Sequence, residues 1–105
     1  MSSSKNKVTL RYEIMFRKED YGKLLNAKLS EILRRTTSKE DIANVSVRSN
    51  VSFSTIRDVI YRTNSLTRSN SKAIALLIYF ASENAFAQKL RAESDLIFLD
   101  DILKL

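Results

Sequence analysis

A mainly α fold with one N-terminal β-strand is what this chain of 105 residues predicts. Three observations carry that expectation. Apolar residues recur at helical spacings of three, four and seven through most of residues 18–105. Polar breaks containing serine or threonine separate those stretches, as helix N-caps do. Residues 8–16 instead alternate apolar and polar, the period of a half-buried strand. A chain of this length makes one domain around one core.

Taken in order, residues 1–7 are small, polar and basic and are expected to be a flexible arm; residues 8–105 form the single domain. In the strand, Val8, Leu10, Tyr12, Ile14 and Phe16 share a face, with Thr9, Arg11 and Glu13 between them. Such a strand needs a partner, in this chain or in another copy. From Lys18 to Arg35 the residues Tyr21, Leu24, Leu25, Leu29, Ile32 and Leu33 trace a helical face. Glu19 and Asp20 suit its positive end and Arg34 and Arg35 its negative end. Gly22 costs this helix up to about 1 kcal/mol relative to alanine.

Ser38 is an N-cap, and Asp41, three residues on, is the acidic partner of a capping box. The short helix it opens carries Ile42, Ala43 and Val45, followed by a polar turn over residues 44–50. Ser52 caps the next helix, with Phe53, Ile56, Val59 and Ile60, and Asn64 is the residue suited to end it. A further helix opens near Thr67 or Ser69. Its apolar residues, Ile74, Leu76, Leu77, Ile78, Tyr79 and Phe80, lie nearly all round, which predicts burial in the core or in a subunit contact. The apolar tail, residues 95–105, reads either as a last helix or as a strand over 96–99.

Composition limits the chemistry. There is no histidine, no cysteine and one glycine, Gly22. The commonest general base, the commonest metal ligand and a glycine-rich phosphate cradle are therefore missing. The expectation is a protein that is not an enzyme, with no metal, no cofactor and no evident small-molecule ligand. The longest apolar run, Ala73 to Ala81, has nine residues, far from the roughly 18 to 20 of a membrane span. With no apolar signal segment at the N-terminus and no disulfide framework, a cytoplasmic protein is expected.

Net charge is +6, which draws a protein to polyanions. Between Arg34 and Lys72 there are eight basic residues and three acidic ones, whereas from Glu83 to Leu105 there are three basic and five acidic. The positive charge thus surrounds the two short helices after Ser38, and the C-terminal end is acidic.

Those two helices have the outline of a helix-turn-helix, whose second helix enters the DNA major groove. Ala43 supplies a small residue where the helices cross; Val51, Ile56 and Val59 face inward from the second helix. Ser52, Phe53, Ser54, Arg57, Asp58 and Tyr61 are then candidates for base contacts. Arginine can bind guanine bidentately, aspartate can accept from cytosine, and aromatics can touch a thymine methyl. Phe53 is as well suited to the core, and Asp58 to an ion pair with Arg62 at i+4. Ser38, Arg48, Asn50, Thr55, Arg62, Arg68, Asn70 and Lys72 are candidates for phosphate contacts.

From Lys18 to Ala81 the chain resembles the lambda-repressor/Cro-like helix-turn-helix family. The segments that carry the resemblance are Ile42-Ala43, Val51 to Ile56, and Thr67 through Ala73-Ile74. The resemblance implies a compact helical bundle of about five helices that binds double-stranded DNA sequence-specifically, usually as a dimer. It also puts Ser52, Phe53, Ser54, Arg57, Asp58 and Tyr61 in the base-contacting positions. Two departures stand out: the turn has no glycine, and the eight residues from Ala43 to Val51 lengthen it by about three residues. Asn44 or Asn50 would then supply its left-handed residue.

The expected function is a DNA-binding transcriptional regulator, a repressor acting by occlusion, of a size compatible with a phage or mobile element. A homodimer is expected, with the strand, residues 73–81 or the apolar tail at its contact. The alternative is a small assembly or interaction subunit, of virion or toxin–antitoxin type, whose basic face binds nucleic acid without reading sequence.

Overall fold

The computed structural model describes residues 15–104. It contains a 3-10 turn, Lys18–Asp20, and four α-helices: α1 Ala27–Thr36, α2 Lys39–Ser49, α3 Phe53–Ile60 and α4 Ser71–Lys104. The chain is mainly helical, as its periodicity implies. The arm expected at 1–7 and residues 8–14 of the expected strand lie outside the described residues; Met15 and Phe16, the strand's expected end, form a bend. The tail resolves as helix: α4 runs unbroken through residues 96–99.

Local chemistry explains the boundaries. Residues 18–35 do not form the single helix their spacing suggests. Gly22 sits at φ +84°, a left-handed backbone that favours glycine. Its N–H donates to the Leu66 carbonyl at 2.7 Å, and the Leu66 N–H returns to the Lys23 carbonyl at 2.9 Å. This pairing pulls the chain out of helix and seats Leu25 in the core. The helix begins only after Asn26, whose side chain accepts from the Leu29 N–H at 3.1 Å. At its far end the Thr36 and Thr37 hydroxyls donate back to the Ile32 and Leu33 carbonyls.

Helix α2 opens on the expected capping box: Ser38 Oγ accepts from the Asp41 N–H at 3.1 Å, and Asp41 Oδ2 accepts from the Ser38 N–H at 3.0 Å. Ile42 and Val45 point inward, while Ala43 and Val47 are exposed. Helix α3 opens on Ser52 as expected, but it does not end at Asn64. Arg62 takes the left-handed position, φ 62°, and the Asp58 carbonyl accepts from the N–H groups of Thr63 and Asn64.

The first third of α4 crosses behind the three shorter helices. Leu33, Val45, Ile56, Val59, Ile60, Leu66, Ile74 and Leu77 are almost fully enclosed. Each such aliphatic side chain contributes about 1.5 to 3 kcal/mol on leaving water. In the segment 73–81, Ala73, Ile74, Ala75, Leu77 and Ala81 fill this core, so most of that segment is internal to the chain. Among the described residues the last hydrogen bond from α4 to the body is that of Asn84, whose Nδ2 donates to the Thr36 carbonyl and to Asp41 Oδ2, both at 2.9 Å. Beyond it no residue of α4 is buried. At 34 residues the helix is about 50 Å long, which accounts for the 57 Å longest extent of the molecule.

Candidate nucleic-acid interface

Helices α2 and α3 are joined by Asn50, Val51 and Ser52. The turn is therefore short, not lengthened. Residues 44–49, polar apart from Val45 and Val47, continue α2 because one inward face, Ile42 and Val45, suffices to dock it. Asn50 is the left-handed residue, at φ 59° and ψ 30°. The small residue at the crossing is Ser46 and not the exposed Ala43. Its hydroxyl donates to the Val51 carbonyl at 2.6 Å, and its carbonyl accepts from the Asn50 N–H at 2.9 Å. Both bonds lock the turn and set the angle at which α3 leaves it.

Ile56, Val59 and Ile60 anchor the inner side of α3. Ser54, Arg57, Asp58 and Tyr61 fall at spacings of three, one and three, so they form one outward ridge. Ser54, Arg57 and Tyr61 are exposed, and Asp58 is partly covered. Ser52 stands at the head of the ridge, where its Oγ accepts from the Thr55 N–H at 3.2 Å and donates to Thr55 Oγ1 at 2.8 Å. Phe53 packs against the core, which leaves it at the margin of the ridge.

The charges lie differently from the sequence expectation. Asp58 pairs with the adjacent Arg57 at 3.6 Å, both half exposed, and not with Arg62. Arg62 has left the helix, and its Nε donates to the Leu25 carbonyl at 2.7 Å. An exposed pair at that distance is weak and leaves Arg57 available. Arg34, from the last turn of α1, lies over the Tyr61 ring at 5.5 Å. It therefore adds a cation beside the ridge. No sequence signal marked this neighbour, because the two residues lie 27 positions apart in the chain.

The flanking candidates are spread over the body. Ser38 is exposed at the start of α2 with its hydroxyl in the capping box. Arg48 lies over Phe80 of α4 at 5.6 Å, and Arg68 over Tyr21 at 4.6 Å. Lys72 is exposed on the first turn of α4. Asn70 is only 3% exposed. Its Oδ1 accepts from the Thr67 N–H at 2.8 Å, and its Nδ2 donates to the Ser65 carbonyl at 3.1 Å. That side chain organises the start of α4 from inside and is not at the surface where a phosphate would meet it. No family model, curated protein or solved structure matches the chain.

Proposed function

We propose that this protein is a sequence-specific DNA-binding regulator, a repressor, that lays α3 into the major groove. One observation carries the reading: a hydrogen-bonded three-residue turn presents the exposed Ser54, Arg57 and Tyr61, with the partly covered Asp58, as a single outward ridge on a basic body. Arg57 is assigned the base edge, for which its guanidinium has the right fork. Ser52, Ser54 and Tyr61 complete the reading surface. Arg34, Arg62, Lys72 and the exposed Ser38 and Asn50 clamp the flanking phosphates. Arg48 and Arg68 lie at the rim, and occupancy of a promoter by the bound protein represses it.

Selection from a random duplex library tests the reading. The expected result is one enriched site, bound at least about a thousandfold more tightly than bulk duplex. Equal affinity for all duplexes with a common salt slope overturns it. That result favours the second reading, an assembly subunit with a non-specific basic face, which the exposed apolar half of α4 supports.

A further inference from the structure

Among the described residues, no apolar side chain of α4 beyond Asn84 belongs to the core. Phe86, Leu90, Leu96, Leu99 and Leu103 are between 49% and 82% exposed. With Ile97, Phe98 and Ile102 they make eight large apolar side chains on a projecting rod. At about 150 Å² for each side chain, their exposed part amounts to roughly 700 Å². Taken over all sides of the rod, that approaches the roughly 800 Å² that one partner gives to a standard interface.

We propose that residues 85–103 of α4 form a self-association arm, which pairs antiparallel with the same segment of a second copy. The stripe that is buried at Ile74, Leu77 and Ala81 continues along the rod as Ala85, Ala92, Leu96, Leu99 and Leu103, interrupted once by Gln88. Centred near residue 94, an antiparallel pair sets Ala92 against Leu96 and Ala85 against Leu103, small against large. The same register places Lys89 beside Asp100 and Arg91 beside Asp95, on matching flanks of the two helices. A parallel pair would set the acidic tips side by side. At the root of the arm an open groove of about 430 Å³, lined in part by Arg35, Asn84, Gln88 and Arg91, receives the partner's tip. The opposite stripe, Phe86, Leu90 and Ile97, is covered when two such pairs meet.

A membrane surface fits less well. The arm carries more carboxylates than cations, and its two apolar stripes face opposite ways. The inference rests on α4 alone and not on the DNA-binding reading, so it is tested without DNA. Sedimentation of the full chain at tens of micromolar should give the mass of two or four chains. The variant L96Q/L99Q/L103Q should sediment as a monomer, its association weakened more than about a hundredfold. Its circular dichroism should keep the folded body, since all three positions are exposed. Because the chain has no cysteine, mixing an Ala85→Cys chain with a Leu103→Cys chain should give a disulfide that neither gives alone. A wild-type monomer at every concentration, an unchanged variant, or cross-links between like positions would overturn the proposal. So would a monomer that binds anionic vesicles, which would make the arm a membrane anchor.

Discussion

Two residues show how side-chain chemistry separates recognition from support. Arg57 is exposed at the centre of the α3 ridge, in a weak pair with Asp58. If it reads a base, Arg57→Ala should cost about 1 to 3 kcal/mol on the best site and relax preference at one base pair. An equal loss on every duplex would assign it to phosphate. Asn70, immediately before α4, does the supporting work instead. Buried, it satisfies the Thr67 N–H and the Ser65 carbonyl at once. Asn70→Ala strands buried polar groups and should destabilise the fold by about 1 to 3 kcal/mol, read as a lower denaturation midpoint. DNA affinity at a temperature where the variant is folded should hardly change; a large loss there would return Asn70 to the interface.

At the scale of elements, α2 depends on both of its ends. The Ser38–Asp41 box satisfies two N–H groups that no helical carbonyl can reach. Asp41 also accepts from Asn84 of α4, so the box couples the start of α2 to the last anchored turn of the long helix. Ser38→Ala should lower stability by about 1 kcal/mol, a midpoint shift of about 4 to 8 °C in thermal melting. An unchanged melting curve would mean that the tie to Asn84 holds α2 without the cap. The two ends were legible to different degrees. Ser38 and Asp41 are local partners three apart, and so were readable as a cap. The true end, Ser49, was masked because α2 buries only one stripe, and its remaining turns look like a polar loop.

For the whole molecule the asymmetry of charge is the governing feature. The body carries the basic surplus and the projecting arm the acidic one. Binding to duplex DNA should therefore weaken steeply with salt, with a slope of about −0.9 in log–log terms for each phosphate neutralised. Because the chain has no histidine, affinity should change little between about pH 6 and 8. Fluorescence anisotropy across a salt and pH grid checks both. A flat salt response would remove the electrostatic basis of the interface, and a sharp change near neutral pH would require a titrating group that the composition does not suggest.

The sequence by itself determined what is local or periodic. Spacing predicted the helical class, Ser38 and Ser52 marked two helix starts, and the inward positions Ile56 and Val59 defined which side of α3 faces out. Contacts between residues far apart in the chain were decided by tertiary structure. Gly22 meets Leu66 and breaks a helix that periodicity had extended. Arg62 reaches Leu25 and abandons Asp58, while Arg34 reaches Tyr61. Asn70 is withdrawn from the surface. The physical reason is common to all of these. A cap or an apolar stripe is set within a few residues by backbone geometry, whereas a left-handed turn, a buried amide or a stacked cation depends on what packing brings alongside it.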